Sequence, residues 1–211
     1  MQTLRRHMCD LFWKIAGEKE DIVLDGIPGY HPKAQFVAGK VINQCSYVLT
    51  DCLMGTERED EAKAALTGIV RMVSGMPMET WGILNGIEGL WRLRQHGLLE
   101  TLVDADTLDS LRASMDWRTF VDVSADYALI HKPTNYYGVA FGIARYRELL
   151  GWDEPGAARI LLDHLLAHIR RYSGELGFMD ETQGDGRFDR YSLLVPGELT
   201  ILLLNTGWQV P

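Results

Sequence analysis

Glycine residues stand directly after helical runs of apolar residues along the chain, and this pattern constrains the fold more than any other feature. Such glycines are Gly17, Gly55, Gly75, Gly97, Gly151, Gly174 and Gly207. A glycine at that position accepts the left-handed conformation that ends many helices. Because most connections between the runs are short, successive helices should form antiparallel hairpins. The sequence therefore predicts an all-α fold.

The apolar spacing predicts about eight helices. They fall near residues 4–15, 32–55, 58–73, 77–97, 104–115, 135–150, 155–172 and 196–205. No segment alternates convincingly between apolar and polar residues, and residues 117–130 stay ambiguous. Two connections are long, residues 19–31 and 175–191, and long loops in helical proteins often carry function.

Length and charge narrow the class of protein. With 211 residues and 46% hydrophobic content, the chain should form one domain over 1–211. Its net charge of −8 argues against nucleic acid as a partner, and no apolar run approaches the length of a membrane span. The N-terminal segment has the pattern of an amphipathic helix rather than a signal peptide. Cys9, Cys45 and Cys52 form no disulfide framework and no C-x-x-C pair, so a cytoplasmic location is expected.

The long acidic loop near the C-terminus is the first candidate site. It contains Asp180, Asp185 and Asp189, with Phe188 and Tyr191 interleaved among them. Clustered carboxylates raise one another's pKa, which is how a general acid for neutral pH is made. A solvated loop with acids and glycines placed for turn geometry is the alternative. A calcium loop is a third reading, but it would place Ser192 where a bidentate glutamate belongs.

Two helices supply the other candidates. Asn135 and Tyr137 begin the helix after the lysine–proline turn, where Asn135 is suited to cap the helix and Tyr137 to line a cavity. Trp81, Asn85 and Glu88 form one stripe of the fourth helix, which is either a pocket wall or a solvated helix edge.

Other motifs argue against cofactor chemistry. His164 and His168 have the spacing of a helical metal pair, but no third ligand follows, so we interpret them as surface histidines. Nucleotide-binding glycine motifs and serine-hydrolase motifs are missing from the sequence. No cofactor and no metal are expected.

Three stretches carry a family resemblance. They are ETWGILNGIEGLWRL (79–93), KPTNYYGVAFGIARYRELLGW (132–152) and GFMDETQGDGRFDRY (177–191). They resemble motifs of the α/α toroids, and most of all an uncharacterised bacterial and fungal family grouped with glycoside hydrolases and polysaccharide lyases. QGDGRF (183–188) is also similar to the repeats of triterpene cyclases and protein prenyltransferases, which are toroids as well.

The first resemblance implies a carbohydrate-active enzyme that works by hydrolysis or elimination at the concave end of a toroid. The second implies a terpenoid or isoprenoid cyclase or isomerase, and a non-catalytic helical binding module is the third alternative. A wet, acid-lined groove would favour a small saccharide or oligosaccharide as substrate. A closed, dry aromatic cavity would favour the terpenoid, and a flat surface would favour the binding module.

Residue roles follow from charge and position. Asp185, between two glycines, and Asp189 are the expected central acids, with Asp180 and Glu88 as possible catalytic partners. Asn135, Tyr137, Trp81, Phe188 and Tyr191 are the expected substrate-binding residues. About eight helices are fewer than the twelve of a closed six-hairpin toroid, so self-association, another chain or a further segment should complete the wall.

Overall fold

Helices make up most of the structure, which confirms the predicted all-α class. The computed structural model describes residues 2–18, 23–24, 27–28, 36–130, 135–173, 180, 186, 188 and 191–208. Contacts divide the chain into two compact units, Met1–Asp116 and Trp117–Pro211. That all the helices build one toroid remains a prediction.

The first unit holds six helices among its described residues. They are α1 (Gln2–Ala16), α2 (Val37–Val48), α3 (Glu59–Ser74), α4 (Trp81–Gln95), α5 (Leu99–Leu102) and α6 (Ala105–Ser114). Strands β1 (Val23–Leu24) and β2 (Ile27–Pro28) pair antiparallel, and a π-helical turn, Leu49–Leu53, continues α2. Helix α3 buries one stripe of apolar side chains, Ala62, Leu66, Ile69, Val70 and Val73.

Helices α2 and α4 are in backbone contact because glycines face each other where they cross. A Cβ atom added to Gly39 would lie 1.7 Å from the carbonyl oxygen of Gly82. One added to Gly89 would lie 2.7 Å from the Cα atom of Asn43. Only glycine, which has no Cβ atom, permits so close an approach of the two backbones. The approach brings Asn43 alongside the face of α4 that carries Glu88.

The starts of two helices differ from the predictions. We expected α4 to begin near Pro77, but Thr80, with φ 44°, breaks the helical path and α4 begins at Trp81. We expected the last helix to begin near Pro196, but it begins at Tyr191 and holds Pro196 in its interior. The predicted start at residue 32 lies outside the described residues, whose α2 begins at Val37.

The second unit contains three long helices among its described residues. They are α7 (Tyr136–Leu149), α8 (Ala157–Tyr172) and α9 (Tyr191–Asn205). The ambiguous segment before them forms 3₁₀ turns at Trp117–Thr119 and Val123–Ala125 around a short hairpin, β3 (Val121–Asp122) and β4 (Ala128–Leu129). These two-residue strands, like β1 and β2, were not predicted.

Charged side chains fix the connection between α7 and α8. Glu148 accepts hydrogen bonds from the backbone N–H groups of Gly156, at 2.9 Å, and Ala158, at 3.0 Å. It thus supplies an acceptor for N–H groups at the start of α8 that have no partner within the helix. Asp153 forms an ion pair of 2.9 Å with Arg147 and accepts a hydrogen bond of 3.0 Å from the indole of Trp117. Arg147 is only 5% exposed, so this is a buried ion pair.

Candidate functional site

A pocket of about 430 Å³ opens in the first unit. It lies within the usual range for small-molecule sites. Residues of α1, α2, the π-helical turn and α4 line it: Met8, Asn43, Gln44, Tyr47, Val48, Asp51, Cys52, Asn85 and Glu88. Most of these residues carry an amide, a carboxylate or a hydroxyl, so the pocket offers several hydrogen-bonding groups beside its apolar surface.

Helical spacing aligns the polar residues of the pocket. Asn43, Tyr47 and Asp51 follow one another at intervals of four, and Asn85 and Glu88 are three apart, so each set lies on one face. The π-helical turn carries Asp51 and Cys52, and such turns are frequent at functional sites. The close crossing of α2 and α4 then brings the two faces together.

Glu88 is held by neutral hydrogen-bond donors. Its Oε2 atom accepts a hydrogen bond of 2.8 Å from the side-chain amide of Asn43, which is 3% exposed. Its Oε1 atom lies 3.5 Å from the hydroxyl of Tyr47, which donates a longer and weaker hydrogen bond. The carboxylate is therefore oriented on both oxygens while its residue still lines the pocket.

Tyr47 is kept in its neutral, proton-donating form. Burial raises the pKa of its phenol above the ordinary value, and the negative charge of Glu88 raises it further. The guanidinium of Arg92, whose Cζ lies 4.0 Å from the centre of the tyrosine ring, acts in the opposite direction but does not reverse the shift. At neutral pH, Tyr47 is a hydrogen-bond donor to Glu88.

We expect this pKa shift to be measurable by titrating tyrosinate absorbance with pH. One phenol, identified by its loss in Tyr47→Phe, should ionise above the usual value of about 10. Glu88→Gln should lower that midpoint, because it removes the negative charge that raises it. A midpoint that Glu88→Gln leaves unchanged would contradict the electrostatic coupling.

Asp51 is the second carboxylate in the pocket lining, and a positively charged side chain balances its negative charge. It forms an ion pair with Arg92, whose Nε atom also donates a hydrogen bond of 2.8 Å to the hydroxyl of Thr50. Arg5 of α1 donates to the backbone carbonyl oxygen of Asp51 at 2.7 Å. These contacts position Asp51 as a fixed wall of the pocket. Asp51 was not among the predicted site residues, although its spacing of four residues from Tyr47 was a signal.

Only part of the stripe predicted on α4 belongs to the pocket lining as the structure describes it. Asn85 and Glu88 are lining residues. The half-buried Trp81 instead supplies its backbone carbonyl oxygen, which accepts a hydrogen bond of 2.6 Å from the amide of Asn85. The backbone of Trp81 thus orients the side chain of Asn85.

The acidic loop belongs to the second unit. Asp185 and Asp189, the expected central acids, lie outside the described residues, as does the side chain of Tyr191. Asp180 is 2% exposed, and its Oδ2 atom accepts a hydrogen bond of 2.9 Å from the backbone N–H of Gly186. Phe188 is 48% exposed. This hydrogen bond joins two described residues of the acidic loop, Asp180 and Gly186.

Two predictions are wrong: that the side chain of Asn135 caps α7 and that His168 lies at the surface. Asn135 precedes α7 as expected, but its backbone is already helical, with φ −57° and ψ −18°, and its buried side chain does not cap the helix. His168 is buried, with its ring 4.7 Å from that of Tyr172 and its Nε2 atom 3.2 Å from the carbonyl oxygen of Asp180.

Tyr137 lies in an aromatic cluster of the second unit. Its ring stacks on His164 with centroids 5.8 Å apart, and His164 also contacts Tyr127 at 5.9 Å. Burial raises the pKa of the Tyr137 phenol. Tyr127 and its neighbour Asp126 have positive φ values of 60° and 53°, so the turn between β3 and β4 that carries Tyr127 has a strained backbone.

Comparison with known protein families, curated proteins and solved structures finds no match for this chain. Within the described residues, histidine, cysteine, aspartate and glutamate side chains form no group of three or more that could hold a metal ion. No helix in the described part of the chain is long and apolar enough to span a bilayer.

Proposed function

We propose that this protein is a carbohydrate-active enzyme with Glu88 as its acid–base residue, acting by hydrolysis or elimination. The observation that carries the proposal is the carboxylate of Glu88, oriented by Asn43 and Tyr47 in the wall of a pocket of about 430 Å³ that several hydrogen-bonding side chains line. An oriented carboxylate beside a neutral phenol provides a proton acceptor and a proton donor in one site.

The chemistry of the lining favours a saccharide. Sugar hydroxyls both donate and accept hydrogen bonds. The lining residues Asn43, Gln44 and Asn85 have side-chain amides, a group that contains both a donor and an acceptor. The described lining residues include two carboxylates and neither lysine nor arginine, which disfavours phosphate-bearing ligands. The terpenoid alternative calls for a dry aromatic cavity, and this polar lining offers it no support.

The role of Glu88 follows from its surroundings. In a hydrolysis, the residue would transfer a proton to the glycosidic oxygen or remove one from the attacking water. In an elimination, its carboxylate would remove the proton from carbon while the phenol of Tyr47 protonates the departing oxygen. Asp185 and Asp189, the other predicted acids, lie outside the described residues, and their catalytic role stays a prediction.

The proposal predicts a large loss of activity in Glu88→Gln with the fold retained. The enzyme is assayed on a panel of neutral and uronic-acid saccharides, with new reducing ends reporting hydrolysis and absorbance of unsaturated sugars reporting elimination. We expect kcat/KM to fall about 10²-fold or more, the scale of general acid–base catalysis. The substituted amide still accepts the hydrogen bond from Asn43, so thermal unfolding should change little.

Glu100→Gln is the matched control. Glu100 is also a carboxylate of the first unit, paired with Arg94 at 3.2 Å, and its side chain is 57% exposed. Its neutralisation should leave kcat/KM unchanged. Full activity in Glu88→Gln would overturn the assignment of Glu88, and a wild-type protein inactive on every saccharide of the panel would overturn the function.

A further inference from the structure

Two cysteines far apart in the sequence lie next to each other in the first unit. Cys9 belongs to α1 and Cys52 to the π-helical turn. Arg5 lies one turn before Cys9 on the same face of α1 and donates a hydrogen bond of 3.3 Å to the carbonyl oxygen of Cys52, which places that face against the turn. The neighbouring Cys52 also contributes to raising the pKa of Cys9. Both residues are partly exposed, whereas the third cysteine, Cys45, is buried in the core at 1% exposure. Only the Cys9–Cys52 pair therefore combines proximity with access to reagents in solution.

Contacts on both sides of Cys9 hold α1 in place. One turn before it, Arg5 donates hydrogen bonds to the carbonyl oxygens of Asp51, at 2.7 Å, and Cys52, at 3.3 Å. One turn after it, the ring of Trp13 lies 3.7 Å from the guanidinium carbon of Arg58, which precedes α3. The two thiols are thus kept together by the surrounding structure rather than by chance encounter.

We propose that Cys9 and Cys52 are a modification site. A small disulfide, such as oxidised glutathione, oxidises the two thiols to a Cys9–Cys52 disulfide, which links α1 to the π-helical turn. A cysteine thiolate attacks one sulfur of the small disulfide, forming a mixed disulfide and releasing one small thiolate. The other cysteine then attacks the protein sulfur of that mixed disulfide and releases the second small thiolate. Two protein thiols are oxidised, one small disulfide is reduced, and the two protons end on the released thiols.

The surroundings of Cys9 and Cys45 make the reaction selective and dependent on pH. Burial raises the pKa of Cys9, and Cys52 raises it further, while the charge of Arg5 acts in the opposite direction. Because the thiolate is the attacking species, cross-linking should become faster as pH rises from neutral. Burial raises the pKa of Cys45 to about 12, which keeps that thiol neutral and unreactive.

The cross-link would form in the wall of the pocket. Cys52 is a lining residue, and so is Met8, the neighbour of Cys9 on α1. A bond between the two sulfurs would join these two parts of the lining covalently. The oxidation state of the pair is therefore placed to set how far α1 can move away from the rest of the pocket.

The experiment uses the full chain, equilibrated with mixtures of oxidised and reduced glutathione and then quenched with an alkylating reagent. Digestion with trypsin should yield residues 7–14 disulfide-linked to residues 41–58. Further digestion with chymotrypsin separates Cys45 from Cys52 and identifies the partner in the wild-type protein. The link should be intramolecular, so the protein should stay monomeric in size on non-reducing electrophoresis.

Matched variants and thermal unfolding complete the test. Cys52→Ser and Cys9→Ser should lose the link, and Cys45→Ala should keep it. The oxidised wild type should melt roughly 5 °C higher than the reduced form, because the bond restricts the unfolded chain, and dithiothreitol should reverse the shift. Glutathione adducts without a link, a link to Cys45, or a link only between two protein molecules would overturn the proposal.

Discussion

Gly39→Ala will destabilise the first unit by about 3 kcal/mol, at the upper end of the usual cost of overpacking. The new methyl group would lie 1.7 Å from the carbonyl oxygen of Gly82, and a backbone atom cannot rotate out of the way as a side chain can. Helices α2 and α4 must therefore separate. Denaturant unfolding of the variant and the wild type measures the loss.

Gly68→Ala is the control, and its effect should have the opposite sign. Gly68 lies in the interior of α3, with nothing within 4 Å of the position of an added Cβ. Alanine there restricts the unfolded chain and favours the helix, so we expect a gain of about 0.5–1 kcal/mol. If both variants shift the free energy of unfolding equally, the contact between α2 and α4 does not have the geometry described.

Asp153→Asn will lower the free energy of unfolding by about 3 kcal/mol, since removing one partner leaves a buried charge uncompensated. The side chains of Arg147 and Asp153 are only 6% and 12% exposed. Asparagine preserves the size of the side chain and can still accept the hydrogen bond from Trp117. The cost therefore reports the lost charge, and denaturant unfolding at neutral pH measures it.

A surface ion pair provides the matched comparison. Arg159 and Asp163 form a bridge of 3.1 Å, close to that of the buried pair, but their side chains are 47% and 55% exposed. Asp163→Asn should change the stability by less than about 0.5 kcal/mol. Equal losses in the two variants would contradict the buried character of the Arg147–Asp153 pair.

The same pair should give stability a dependence on acid pH. Burial alone would raise the pKa of Asp153, but hydrogen bonds from Arg147 and Trp117 and the charges of Arg147 and Arg118 outweigh it, so the pKa is lowered. The folded protein thus releases this proton more readily than the unfolded chain. The stability contributed by Asp153 is present above the ordinary pKa, near 4, and is lost as pH falls through the lower folded value. Asp153→Asn should remove that component.

Local signals explain which elements the sequence could predict. Helix α6 falls where the sequence predicts a helix near residues 104–115. Its start is encoded locally, since the Oδ1 atom of Asp104 accepts a hydrogen bond of 2.9 Å from the N–H of Thr107 and a cap acts on its own neighbours. The start of α9 was misplaced because a proline disfavours helix only locally, and the rest of an apolar helix can outweigh that preference.

The candidate site depends on contacts between distant parts of the chain, which local sequence patterns do not predict. Glu88 could be singled out from the stripe that it shares with Asn85 on one helix face. Its donors Asn43 and Tyr47 are more than forty residues away in the chain, and their approach depends on glycines of two different helices. No local sequence pattern predicts such a long-range contact. The pairing of Cys9 with Cys52 was hidden for the same reason.

The crossing of α2 and α4 also bears on how a ligand would bind. Side chains anchored on two helices whose backbones touch have few alternative arrangements, and such regions are usually among the last to exchange their amide hydrogens with solvent. Asn43 and Glu88 stand on that crossing. A ligand entering the pocket would meet a preorganised wall, so little conformational entropy would be lost there on binding.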